Sequence, residues 1–118
     1  MVIRMKPVEL NANAERMVRI HVALGNPRRF QILEILSRNP QSIVADIVAE
    51  LPIAQSTVSQ HLRVLKEAGL IYGEESEGAG RCCRINADVL SQFAQHVVGW
   101  SHRMVTNAGC TAARTGET

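Results

Sequence analysis

Aromatic side chains are scarce in this chain. They make up 3% of 118 residues: two phenylalanines, one tyrosine and one tryptophan. Hydrophobic residues still reach 46%, so the core must be aliphatic. A mainly helical framework is expected, because strands favour aromatic and β-branched residues. No apolar run approaches the ~18 residues of a membrane span. The opening MVIRMKPVEL lacks the apolar stretch of a signal peptide. A cytoplasmic protein without a membrane partner is the expectation. Cysteines number three, an odd count that argues against a disulfide framework. Neither sign of charge dominates. The net charge of +2 permits a nucleic-acid partner without requiring one. No carboxylate pair, nucleophile elbow or phosphate loop is visible, so no enzyme is expected.

What is present is helical periodicity. From Asn13 to Leu24, Met17, Ile20 and Leu24 recur at helical spacing, and Val18 and Val22 widen the stripe. Gly25 reads as a stop. In GNPRRFQILEIL, Asn26 can cap and Pro27 suits the first helical position. Phe30, Ile32, Leu33, Ile35 and Leu36 give that helix a broad apolar face, and Pro40 ends it. Ser42 can cap a short third helix, SIVADIVAEL, which Pro52 breaks. In AQSTVSQHLRVLKEAGL, Val58, Leu62, Leu65 and Ala68 form one apolar stripe, and Gly69 is the natural stop.

After Gly69 the period changes. LIYGE reads as a strand, ESEGAG as a turn and RCCRIN as the returning strand of a hairpin. A last helix starts near Ala87, with Leu90, Phe93, Val97, Trp100 and Met104 at 3–4 spacing. Residues 1–12 are expected to fray, 13–105 to form one domain, and 106–118 to be a flexible tail. The fold class is α+β and mainly helical, with about five helices and one β-hairpin.

Two helices joined by a turn of three or four residues make a helix-turn-helix. Here the turn is about Leu51 to Ala54. The second helix carries Gln55, Ser56, Thr57, Ser59, Gln60, His61 and Arg63. Such short hydrogen-bonding side chains at a helix N-terminal end can enter a major groove and reach base edges. Arg63 and Lys66 lie further along, suited to backbone phosphates. A merely solvated polar face is the plainer alternative for the Ser/Thr cluster.

STVSQHLRVLKEAGLI closely resembles the recognition-helix signature of the ArsR/SmtB family of bacterial winged helix-turn-helix repressors, and ALGNPRRFQILEIL resembles the family's helix that opens the core. The hairpin sits where that family keeps its wing. The resemblance runs from about Ala23 to Asn86, and the element order extends it to about Val105. It implies a homodimeric repressor that binds an inverted repeat in double-stranded operator DNA and is released from it by an effector. It implies DNA contacts from the helix residues above and from Arg81 or Arg84 of the wing. It implies a dimer interface on the first and last helices: Met17, Ile20, Leu24, Leu90, Phe93, Val97, Trp100 and Met104. The chain departs from the family pattern at Ala54, where a polar cap is common, and at Pro52, where glycine is often found. Loss of the cap costs about 1 kcal/mol, unless the helix begins later at Ser56. Proline cannot take positive φ, so the turn must differ locally.

An effector site is harder to place. The third helix lacks the Cys-x-Cys of arsenite-sensing and cadmium-sensing relatives. His96 and His102 are six residues apart on the last helix and point to different faces. Cys82 and Cys83 alternate along a strand, so Cys83 is expected inward beside Ile85 and Cys82 outward. One reading makes Cys83 a small core hydrophobe. The other joins Cys82, Cys83 and Cys110 in a three-thiolate site for As(III), another thiophilic effector or an oxidant, with Arg81 and Arg84 favouring thiolate. A third class of function is a winged-helix protein–protein adaptor without DNA binding.

Overall fold

The computed structural model describes residues 9–76 and 80–109, without the side chains of residues 74–76 and 80–82. In order, the elements are α1 (Ala12–Leu24), α2 (Pro27–Arg38), α3 (Val44–Glu50), α4 (Gln55–Glu67), β1 (Ile71–Ser76), β2 (Gly80–Ile85) and α5 (Ala87–Asn107). This is the expected mainly helical architecture with one hairpin. The chain divides into two compact units at Ile85/Asn86. Helical structure begins and ends beyond the expected ends: Ala12 falls in the segment read as frayed and Asn107 in the segment read as tail.

Local chemistry sets the helix starts. Asn11 Oδ1 accepts from the Ala14 N–H at 2.8 Å. Asn26 Oδ1 accepts from the N–H groups of Arg28 and Arg29 at 2.9 and 3.2 Å, and Pro27 follows at a position whose N–H is not needed. For α3 the expected cap is wrong by one residue. Ser42 is buried, and its hydroxyl donates to the Asn39 carbonyl at 2.8 Å. Ile43 is the capping position, and Asp46 accepts from its N–H at 3.0 Å. The helix is thus tied from its third residue, half of a capping box.

In the first unit, α1 packs on α2 and α4, α2 also contacts α4 and β2, and α3 contacts α4 and β2. The core is Ile32, Ile35 and Leu36 of α2, Ile47 of α3, Val58, Leu62 and Leu65 of α4, with Leu70, Ile71 and Cys83. Each fully buried aliphatic side chain contributes about 1.5–3 kcal/mol relative to exposure. Phe30 is a correction to the expected apolar face, for it is 55% exposed. It lies two residues before Ile32, about 200° around the helix from the buried row.

The end of α4 is a Schellman motif. Gly69, at φ 80°, donates its N–H to the Lys66 carbonyl, and Leu70 donates to the Leu65 carbonyl at 3.0 Å. The reversal drops Leu70 and Ile71 into the core and starts the hairpin. In that hairpin, antiparallel pairing matches Ile71 with Ile85, Tyr72 with Arg84 and Gly73 with Cys83.

The second unit is α5, capped by Asn86 Oδ1 accepting from the Val89 N–H at 3.3 Å. Asp88 in its first turn suits the positive helix end. Among the described residues, no helix is long and apolar enough to cross a membrane.

Candidate nucleic-acid interface

The turn from Leu51 to Ala54 brings α3 and α4 together without a left-handed residue. Among the described residues, only Gly69 and Gly109 have positive φ, so Pro52 fits. Leu51 is 5% exposed and pins the turn to the core. α4 begins at Gln55, and its capping position, Ala54, makes no side-chain hydrogen bond. A later start at Ser56 does not occur. The Ala54 carbonyl takes the N–H groups of Thr57 and Val58. No side chain caps the first-turn amides at this end.

α4 is strongly two-sided. Val58, Leu62 and Leu65 face the core, while Gln55, Ser56, Ser59, Gln60 and Arg63 are exposed. Gln55, Ser59, Arg63 and Lys66 line one open groove of about 570 Å³, together with Val44 at the start of α3 and the edge of Leu62. Thr57 is half-buried, nearer the core than its neighbours.

His61 has a neighbour that sequence reading missed. Arg29 Nη1 lies 3.4 Å from His61 Nδ1. The same guanidinium donates from Nε to the Ala23 carbonyl at 2.7 Å and from Nη2 to the Val22 carbonyl at 3.2 Å. The contact with His61 spans 32 residues of sequence, which no local pattern reveals. Burial lowers the His61 pKa below its usual 6.5, and the positive charges of Arg29 and Arg28 lower it further. Arg29 can only donate, so a neutral ring in this contact accepts at Nδ1 and would carry its proton on Nε2.

In the wing, Arg84 bonds to one backbone and one side-chain acceptor of the same unit. Its Nη1 donates to the Pro40 carbonyl at 3.3 Å and its Nη2 to Gln41 Oε1 at 3.1 Å. These two bonds tie β2 to the loop between α2 and α3. The Arg81 side chain lies outside the described residues, as do the Cys82 side chain and Cys110. Cys83 is fully buried and not in a disulfide. Among the described residues, no group of three His, Cys, Asp or Glu side chains could hold a metal ion.

The expected interface residues divide. Met17 and Ile20 are buried within the chain. Leu24, Leu90, Phe93 and Val97 are half-buried. Trp100 and Met104 on α5 stay exposed at 41% and 42%, and Val18 and Val22 on α1 at 47% and 61%.

Three stacked helices, a tight turn into a polar-faced helix, and a hairpin directly after it define a winged helix-turn-helix protein. Residues 26–72 match the family model described as bacterial regulatory protein, arsR family. An uncharacterized HTH-type transcriptional regulator of Methanocaldococcus jannaschii is 40% identical over 48% of this chain and 64% of its own length. A second regulator of that organism is 35% identical over 58% of this chain and 72% of its own. The HTH-type transcriptional repressor SmtB of Mycobacterium tuberculosis is 40% identical over 63% of this chain and 47% of its own. A solved homodimeric winged helix-turn-helix DNA-binding domain from Mycobacterium bovis aligns with a TM-score of 0.60 and 29% identity. The alignment covers 81% of this chain and 91% of that one. The chain belongs to the arsR family of regulators. It spans about two thirds of the first relative above and about half of SmtB.

Proposed function

We propose that the chain is a homodimeric transcriptional repressor that binds an inverted-repeat operator through α4. The observation that carries this reading is the groove in which Gln55, Ser59, Arg63 and Lys66 converge. Gln and Ser near the N-terminal end suit base edges, and the two cations further along suit phosphates. The first-turn amides, with no side-chain cap, add donors for an anion. Two features support a homodimer. The M. bovis domain is homodimeric, and α5 leaves Trp100 and Met104 exposed on a stripe spaced as a coiled-coil seam. Two recognition helices would then meet half-sites about 10 base pairs apart or a multiple of that. Repression would follow from occupying the promoter.

Arg81 remains a proposed wing contact. A thiol effector is not part of this reading, because Cys83 belongs to the core rather than to an accessible thiolate set.

Fluorescence anisotropy with DNA from upstream of the gene, at two salt concentrations, tests the proposal. Affinity is expected to fall steeply with salt, and Arg63→Ala or Lys66→Ala to reduce the log–log slope by about 1 each. Binding that is absent, or indifferent to salt, would leave the adaptor reading in its place.

A further inference from the structure

Arg29 joins three helices at one point. It starts on α2, its fork takes two carbonyls at the end of α1, and its remaining nitrogen meets the imidazole of α4. The two carbonyl bonds fix the guanidinium plane, so the direction in which it presents Nη1 to α4 is fixed as well. His61 lies between Gln60 and Leu62, that is, between the exposed and the buried face of α4. The apolar row of Val58, Leu62 and Leu65 sets the depth and broad facing of the helix, and a ring held at its flank adds a directional contact with α2.

We propose that Arg29 is a positioning residue for DNA binding, holding α4 in its productive roll through neutral His61, and that protonation of His61 opens this clamp and weakens operator binding. The inference rests on the DNA-binding reading above. A protonated imidazole has no acceptor for Arg29 and becomes a second cation beside it. The charges acting on His61 are Arg29 and Arg28, both from α2. The other charged or titratable groups on the elements packed against α4 are Glu15, Arg16, Arg19 and His21 on α1, Glu34 and Arg38 on α2, Asp46 and Glu50 on α3, and Tyr72 on β1, whose Glu74 and Glu75 side chains lie outside the described residues. None of these is among the causes that shift His61. Its environment is therefore cationic, and the clamp closes at neutral pH and opens in acid.

The test measures operator affinity by anisotropy from about pH 8 to about pH 5.5 at constant ionic strength, with the ring titration of His61 followed by NMR. Wild type, Arg29→Lys, Arg29→Gln and His61→Asn are compared, with circular dichroism to verify folding. Asparagine places an amide oxygen near the position of Nδ1 and cannot be protonated. Whatever its affinity at high pH, His61→Asn is expected to lose a smaller fraction of that affinity in acid than wild type does. Arg29→Lys keeps the charge but cannot span both carbonyls and the ring, and is expected to bind about tenfold more weakly at high pH. Arg29→Gln is expected to do the same and to raise the His61 pKa. Wild-type affinity in Arg29→Lys would make Arg29 a simple phosphate cation and overturn the clamp. Equal acid loss in wild type and His61→Asn would overturn it also, even if the Arg29 variants failed to fold. Wild type that binds no DNA at any pH would instead sink the functional reading on which the clamp depends.

Discussion

Arg84 Nη2 donates to Gln41 Oε1 at 3.1 Å, across 43 residues of sequence. With its second bond to the Pro40 carbonyl, this joins the returning strand of the wing to the loop between α2 and α3. An arginine that reads in sequence as a DNA contact also has partners within the fold. Arg84→Ala is expected to cost no more than about 1 kcal/mol, since the pair is exposed to solvent. It should leave the salt slope of operator binding unchanged and speed amide exchange in the hairpin. A slope reduced by about 1 would restore Arg84 as a phosphate contact.

Leu65 is fully buried and also supplies the carbonyl that accepts from Leu70. Leu65→Ala should destabilise the protein by about 2–5 kcal/mol in urea unfolding, through lost transfer energy and the cavity left behind. A loss under 1 kcal/mol would mean that α4 does not seat on α2 as described.

Gly69 holds φ 80° at the Schellman turn. A side chain there is strained, so Gly69→Ala should cost about 1 kcal/mol, and Gly69→Asn less. Matched urea melts of the two variants check the order.

Cys83 should resist thiol reagents in the folded protein and react on unfolding. In a Cys82→Ser, Cys110→Ser background, labelling by a chromogenic disulfide should be slow without urea and complete with it. Rapid native labelling would reopen the thiol-sensor alternative.

His61 also links stability to pH. Its folded pKa lies below the unfolded value of about 6.5. Above 6.5 the ring is neutral in both states and its contribution is fully present. As pH falls through the folded pKa, the unfolded chain binds the proton more readily and that contribution is lost. The melting temperature of wild type should therefore fall between pH 7.5 and 5 more than that of His61→Asn, as scanning calorimetry would register.

Much of this fold is legible from local pattern. The row Val58, Leu62, Leu65 announced the buried face of α4, Asn26–Pro27 announced the start of α2, and Gly69 the end of α4. Strand alternation placed Cys83 inward, where it lies. These signals are local: a cap, a period or a glycine acts within a few residues. Ser42 failed as a cap because Asn39, three residues back, offered its hydroxyl a closer partner. Phe30 failed as a core residue because apolar identity does not fix the angle at which a helix presents a side chain.

The sequence by itself determined the order of elements, the polar face of α4 and the family, since these follow from periodicity, capping and a contiguous motif. Only the tertiary structure decided what Arg29, His61 and Arg84 meet within the chain. Their partners lie 32 to 44 residues away or on a neighbouring helix. An arginine is long, always charged and rich in donors, so its chemistry suits DNA, a carbonyl or an imidazole equally well. Which of these it meets is settled by packing, not by residue type.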